Sequence, residues 1–362
     1  MTRIGIVSPS LSTGDAVSND VLGMHEALKQ QKREVRVFAE THNLNGYSVS
    51  HTSKVERFLT GANDVLIYHH ARGWNPGLSL LRELACRKVV KYHNVTPARF
   101  FAGFNSTDES LCATGRAELT TLANSNCDLY LADSSFNKGE LLALGVDASK
   151  CFVVPPFHHT ERLAEVAAAD SVLRRFKDGK ANILTVGRVV PNKAHLALLE
   201  AFAVFHFNCN RNSRLIIVGK GGDGLSAYSR LLHRASQALG LNGAVVFTGE
   251  ASDSELRAYY LLADAFVIAS EHEGFCVPLV EAMAMNVPIA AYASSAIPET
   301  IGPAGVVWNE RNPYLLAESI NSIITDKSLG KSLSAIGRGR YQESFTNDQI
   351  RARFLSALSN LP

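Results

Sequence analysis

At 362 residues the chain is too long for one ordinary hydrophobic core, which points to two domains. Its 46% hydrophobic and 19% charged residues are those of a soluble globular protein and exclude a disordered or fibrous one. With 36 basic against 34 acidic residues the net charge of +2 gives no general push toward nucleic acid, and no apolar run reaches the ~18 residues of a membrane span.

The chain opens on an apolar run, 3–8, that reads as a strand and leaves no room for a signal peptide. Similar short runs, rich in Val, Ile, Leu, Phe and Tyr, follow at 34–39, 64–69, 88–93, 128–132 and 151–155. A second series lies at 182–187, 214–219, 244–249, 265–270, 288–292 and 305–308. Continuous short apolar runs suit strands buried on both faces. Helix-period segments lie between them, among them 19–30, 113–123, 195–207 and 226–239. Strands alternating with helices make parallel sheets from βαβ units. Six strands and then six more predict two doubly wound domains in tandem.

The boundary is expected between the Pro155-Pro156 pair and Ala181, where charges and Asp178-Gly-Lys suggest a surface helix and a linker. The expected division is a first domain of 1–165, a linker of 166–180, a second domain of 181–340 and a C-terminal helix of 341–362 packing back toward the first domain. Ser252-Asp-Ser-Glu255 reads as a capping box opening a helix over 255–262. The six cysteines (Cys86, Cys112, Cys127, Cys151, Cys209, Cys276) have neither CxxC nor zinc spacing and read as reduced thiols of a cytosolic protein.

Several loops could carry chemistry. The first, Leu11-Ser-Thr-Gly-Asp-Ala-Val-Ser18, could offer backbone N–H groups to phosphate around Gly14 or be an ordinary capped loop. His93 ends a strand in Val90-Lys-Tyr-His-Asn-Val-Thr-Pro97 and could meet a substrate hydroxyl or bond a neighbouring carbonyl. The doublets His69-His70 and His158-His159 have no further ligands at metal spacing and read as structural or solvent-facing. Three rings in Pro97-Ala-Arg-Phe-Phe-Ala-Gly-Phe104 could enter a bilayer interface, hold an apolar acceptor, or fold back onto the core.

The second half is more informative. In Val186-Gly-Arg-Val-Val-Pro-Asn-Lys193, Gly187 allows a sharp turn, and Arg188 and Lys193 project from one βα loop. Two cations near a helix start make an anion site suited to a diphosphate, or else a solvated basic loop. Leu215-Ile-Ile-Val-Gly-Lys-Gly-Gly222 runs a strand into a Gly-rich loop, a weak signal alone. Glu273-Gly-Phe-Cys-Val-Pro-Leu-Val-Glu281 sets two carboxylates eight residues apart, Glu273 in the loop after a strand and Glu281 in the next helix, about two turns on. Loops at the carboxyl ends of parallel strands bind ligands, and two acceptor-only carboxylates there suit a polyhydroxyl ligand. No Asp-x-Asp that would hold a divalent ion against a diphosphate occurs.

With these residues in place, the chain resembles the family 4 retaining glycosyltransferases. The resemblance is densest over 186–299, through Gly187-Arg188, Lys193, Val218-Gly219, Gly249, Tyr260, Ala263-Asp264, Ser270, Glu273-Gly-Phe, Pro278, Glu281-Ala-Met-Ala, Pro288 and Pro298-Glu299. Gly14-Asp-Ala-Val-Ser-Asn-Asp20 and Tyr92-His-Asn-Val-Thr-Pro97 are similar to bacterial members that build surface polysaccharides and O-antigens, mannosyltransferases among them. The resemblance implies an α/β fold of the GT-B architecture, two doubly wound Rossmann-like domains with parallel sheets facing across a cleft. It implies an enzyme that moves a hexose with retention from a nucleotide-diphosphate sugar, GDP-mannose before a UDP-hexose, to a glycan or lipid-linked acceptor, with no metal or other cofactor. Expected localisation is cytoplasmic, with the inner membrane face as a peripheral alternative, and nucleic acid is not an expected partner.

The resemblance also implies roles. Glu273 would meet the donor sugar's hydroxyls, and Glu281 the ribose. Backbone N–H groups of Gly274, Phe275 and Cys276 would help hold the sugar or diphosphate, beside Gly187 and Gly219. Arg188 and Lys193 would neutralise the diphosphate as it departs. Gly14 would lie over the phosphates, and His93 would reach the transferred sugar. Cys276 and Asn286 stand where the family often has Gly, and the first loop lacks the Gly-Gly pair of many members. Alternatives on the same fold are a nucleotide-sugar epimerase, a phosphorylase, which would need a pyridoxal lysine that no feature marks, and a non-catalytic sugar-nucleotide-binding protein.

Overall fold

The computed structural model describes residues 2–221 and 224–362. Two compact units divide the chain: 1–99, 107–158 and 346–362 make the first, and 100–106 with 159–345 the second.

The first unit is built on a seven-stranded sheet of β1 (Arg3–Leu11), β2 (Glu34–His42), β3 (Val49–His51), β4 (Val65–His70), β5 (Arg87–Tyr92), β6 (Leu129–Ala132) and β7 (Cys151–Val153). The order is β3-β2-β1-β4-β5-β6-β7, and every pairing is parallel. The central β4 is buried along its whole length, as its continuous apolar pattern requires. Its core gathers Ile6, Ile67, Val89 and Leu131 with Val21 and Met24 of the helix Ala16–Gln30 and Phe354 of the helix Asn347–Leu358. The chain's last helix thus belongs to the first unit. It starts afresh on the Thr346 cap, after the preceding helix Lys327–Ser344 has ended.

The second unit carries six parallel strands, β8 (Ala181–Val186), β9 (Ser213–Val218), β10 (Val245–Gly249), β11 (Ala265–Ile268), β12 (Ile289–Tyr292) and β13 (Gly305–Trp308), in the order β10-β9-β8-β11-β12-β13. In each sheet the order reverses beside the unit's first strand, and the loops at the carboxyl ends there form a ligand-binding position. The capping box at Ser252 forms as expected, its hydroxyl taking the Glu255 N–H while Glu255 takes the Ser252 N–H.

All twelve expected strands exist. A thirteenth, β3, was not expected, because three residues reading Val-Ser-His at a sheet edge carry almost no apolar signal. The segment 161–180 differs from the expected surface helix and linker. It folds as the helices Thr160–Glu165 and Asp170–Phe176, and Leu163, Val172 and Phe176 are buried in the second unit's core. Arg257 donates to Val166 O and Ala169 N–H bonds Ser254 O at 2.9 Å, so 166–176 is part of the domain rather than a tether. The charges that suggested a linker are the outer faces of these helices.

Candidate functional site

The second unit brings its candidate residues together at the carboxyl ends of β8, β9 and β11. Gly187 ends β8 at φ +145° and Gly219 ends β9 at φ +151°. A Cβ on Gly219 would lie 1.9 Å from Gly187 O, so only glycine lets the two strand ends approach. The turn that follows exposes Arg188 to solvent and ends in the single 3-10 turn Pro191–Lys193. Lys193 Nζ meets Glu273 Oε1 at 2.5 Å, with side-chain exposures of 19% and 8%. Burial penalises the Lys193 ammonium, but the Glu273 carboxylate outweighs it and holds the group above its ordinary value.

The loop carrying Glu273 is fastened through its carbonyl oxygens. Arg311 donates to Ala269 O (3.0 Å) and Ser270 O (2.7 Å), and Ser294 Oγ also bonds Ser270 O at 2.7 Å. Asn192 Nδ2 bonds His272 O at 3.1 Å, and Glu271 N–H returns to Asn192 O at 2.8 Å, which ties this loop to the Lys193 turn. Glu273 O accepts from Ala296 N–H (3.3 Å), and Phe275 O from Thr300 Oγ1 (2.8 Å). A trans peptide sets C=O and N–H on opposite sides. Pinning Glu273 O and Phe275 O therefore turns the N–H groups of Gly274 and Cys276 outward. Among the described residues, no acceptor is bonded to the N–H groups of Gly274, Phe275 or Cys276. With the N–H of Val277, which opens the helix Val277–Ala284 ahead of Pro278, they make a run of free donors that suits an anion or a hydroxyl.

Cys276 caps that helix at φ +75°, and Asn286 follows it at φ +57°. Both are left-handed positions, the reason glycine would fit either one. Glu281 lies on the buried face of the same helix, its Oε2 accepting from Tyr260 Oη at 2.7 Å. Burial pushes the Glu281 carboxyl up to about 7; the Tyr260 hydrogen bond pulls it down and Asp253 pushes it up. Gly219 is described, but Gly222, the end of the Gly-rich loop, lies outside the described residues.

In the first unit Gly14 turns the chain at φ +79° with open space where a Cβ would be. Asp15 caps the following helix, accepting the Ser18 N–H at 2.9 Å. His93 stands in a buried polar cluster that the sheet register builds. His69 on β4 and Lys91 on β5 are register partners, and Lys91 pairs with Leu131 on β6. Two residues further along, His93 and Asp133 fall on that same face. Asp20, from the helix Ala16–Gln30, completes the group. His93 Nδ1 lies 3.0 Å from Asp133 Oδ2, and its Nε2 lies 2.8 Å from His69 Nδ1. Lys91 Nζ lies 2.6 Å from Asp133 Oδ1 and 3.7 Å from Asp20 Oδ2, and also donates to Val154 O. Asp20 Oδ1 accepts from Phe157 N–H at 2.8 Å.

The sequence reading found no further ligands for His69. The fold supplies Asp20 and His93, whose ligand atoms and that of His69 all lie within 4.8 Å of one another. A metal is nevertheless a poor occupant. The Lys91 ammonium already supplies a cation 3.7 Å from Asp20, and the His69–His93 nitrogens are hydrogen-bonded at 2.8 Å. Bonds of about 2.0–2.1 Å in a tetrahedral shell would space ligand atoms about 3.3 Å apart. His70, the other half of the doublet, is structural as expected, bonding Gly115 O and Tyr68 Oη. The three Phe rings fold back: Phe101 is buried, Phe100 tilts over His272 and Phe104 meets Tyr228 edge-on. No helix among the described residues is long and apolar enough to cross a membrane.

The sequence reading did not anticipate the Tyr260–Glu281 bond, the Asn192 staple, or Asp133 and His69 as partners of His93. Asp133 was detectable in principle, since it follows its strand as His93 follows the neighbouring one, but only once the strand order was known.

Residues 170–340 match the family described as glycosyl transferases group 1. A GDP-mannose-dependent alpha-mannosyltransferase of Mycobacterium tuberculosis is 30% identical over 352 residues, covering 87% of this chain and 83% of that protein. A GDP-mannose-dependent alpha-(1-6)-phosphatidylinositol monomannoside mannosyltransferase of the same species is 26% identical over 242 residues, or 64% of this chain, and the match spans 61% of its length. Among solved structures, Anabaena HepE in complex with UDP-glucose superposes with a TM-score of 0.75 at 18% identity, over all of both chains. That likeness is one of fold.

Proposed function

The chain belongs to the group 1 glycosyl transferases, and we propose that it transfers a hexose, with retention and without a metal ion, from a nucleotide-diphosphate sugar to a glycan or lipid-linked acceptor. The observation that carries the reading is the fastened Glu273 loop, which offers free N–H donors and a carboxylate beside Lys193 and Arg188. Arg188 and Lys193 take the diphosphate, and Glu273 takes hydroxyls of the sugar. Glu281 takes the ribose. In the first unit, His93 bonds a substrate hydroxyl and Gly14 provides an open backbone turn.

The anomeric carbon's bond to the diphosphate oxygen breaks while the acceptor oxygen attacks from the same face. The acceptor's proton passes to the departing phosphate oxygen, and a nucleoside diphosphate leaves. Negative charge grows on that oxygen, so fixed cations there stabilise the transition state more than the bound donor, by roughly 3–4 kcal/mol for each well-placed group. These cations replace the usual divalent ion. The favoured donor is GDP-mannose, on the strength of the GDP-mannose-dependent relatives. A UDP-hexose is the second candidate, as HepE binds UDP-glucose on the same fold.

The test is a thermal-shift panel of GDP-, UDP- and ADP-sugars, since a ligand of the folded state raises its apparent stability. Transfer from the best donor to candidate acceptors follows, with the product's anomeric configuration read by NMR. An α product from an α donor, formed in EDTA, is expected. An inverted product refutes retention, strict metal dependence refutes the metal-free reading, and donor binding without turnover on any acceptor refutes the transferase.

A further inference from the structure

The His93 cluster carries an inference that rests on His93's proposed contact with substrate but can be tested apart from it. Burial would raise the Asp133 carboxyl, but His93 and the Lys91 ammonium hold it below the usual carboxylate range. Ionised, Asp133 can only accept, so the 3.0 Å bond to His93 Nδ1 requires the proton on that nitrogen. Burial above all, with the Lys91 ammonium nearby, keeps His69 far below the ordinary histidine range, so it is neutral and carries one proton. His69 Nε2 is buried with no partner. An unmet buried donor is rarer than an unmet acceptor, which puts the His69 proton on Nδ1, aimed at His93 Nε2 2.8 Å away. The chain of bonds then runs His69 Nδ1–H to His93 Nε2, and His93 Nδ1–H to Asp133.

We propose that Asp133, held by Lys91, is a positioning residue that fixes His93 in the Nδ1–H tautomer, so that His93 Nε2 is a lone-pair acceptor for a substrate hydroxyl. His69 occupies that lone pair in the free protein and gives it up when the hydroxyl arrives. Each partner has a separate task. Lys91 keeps a carboxylate ionised in a dry interior, Asp133 selects the tautomer, and His69 satisfies the Nε2 lone pair between turnovers. The nitrogen offered to substrate is an acceptor, so the partner it recognises is a donor O–H, and a sugar whose matching hydroxyl is absent or methylated should be discriminated against.

The test uses full-length protein labelled with ¹⁵N-histidine, with the His93 signals assigned by their loss in His93→Gln. Wild type is expected to show a protonated Nδ1 and an unprotonated Nε2. In Asp133→Asn, whose amide can donate to Nδ1, the proton should move to Nε2. In the same variant kcat should fall at least about tenfold, with donor KM within about twofold, as for a base held in the wrong tautomer. Asp133→Glu, which keeps a carboxylate, should retain the Nδ1–H signal and recover part of kcat, and circular dichroism checks that both variants fold. An unchanged His93 tautomer in Asp133→Asn overturns the proposal. Full activity in His93→Gln with the tautomer shift intact overturns His93's role in transfer instead and leaves positioning by Asp133 standing.

Discussion

Donor affinity should depend on pH through Glu281. Its carboxyl is pushed up to about 7 by burial, against an ordinary value of 4.5. The ionised form accepts ribose hydroxyls on both oxygens, whereas the neutral acid commits one oxygen to its own proton and accepts well only on the other. With a midpoint of about 7, roughly 90% of the protein carries the carboxylate at pH 8 and roughly 3% at pH 5.5. Donor affinity should therefore fall about 30-fold between those values, or about 2 kcal/mol, with close to one proton released per donor bound at pH 5.5. The assay is calorimetry with the intact nucleotide sugar, whose diphosphate does not titrate in this range, in buffers of differing ionisation enthalpy. Stability of the unliganded protein follows the opposite sense. The folded value lies above the unfolded one, so the contribution of neutral Glu281 is complete below about 4.5 and is lost as pH rises through about 7. The interval corresponds to about 3 kcal/mol as an upper bound. Glu281→Gln should abolish both dependences and raise the melting temperature of free protein at pH 8 relative to wild type. A flat wild-type affinity between pH 5.5 and 8, or an equal slope in Glu281→Gln, would refute the reasoning.

Tyr260→Phe removes the 2.7 Å hydrogen bond that favours the Glu281 carboxylate, so the midpoint of donor binding should move to higher pH with maximal affinity nearly restored at pH 9. An unmoved midpoint would mean that Tyr260 only packs. Lys193→Ala and Arg188→Ala should each lower turnover by about 10²–10³-fold. Lys193→Ala should also loosen Glu273, seen as a larger donor KM, and full activity in either variant would sink the diphosphate assignment. Gly219→Ala places a methyl 1.9 Å from Gly187 O and should cost more than about 3 kcal/mol, read as a fall of roughly 6–12 °C in Tm. Gly14→Ala, at φ +79° but in open space, should cost only about 1 kcal/mol, and equal losses in the two would contradict the close-approach account.

How much was legible depended on the range of each interaction. Gly187, Arg188 and Lys193 stand within seven residues of one another, and Glu273 through Glu281 within nine, so their loop and helix placements followed from local pattern. The 161–180 segment misled because charge on a helix's outer face looks the same whether its other face is buried or wet. Leu163, Val172 and Phe176 were the apolar signal, and their spacing crosses two separate helices. The Phe loop left three readings open, and packing against His272 and Tyr228 decided for the inward one.

By itself the sequence determined the two βαβ series, the strands bounded by Gly, the capping box at Ser252 and the family resemblance. Each of these is written in contacts a few residues apart or in backbone conformations that few residue types tolerate. Only the tertiary structure decided that Lys193 meets Glu273 across 80 positions, that Tyr260 holds Glu281, and that His69, Lys91, His93, Asp133 and Asp20 share one buried cluster. Strand order and register choose those neighbours, and the protonation of Glu281 and the tautomer of His93 follow from what the fold buries beside them.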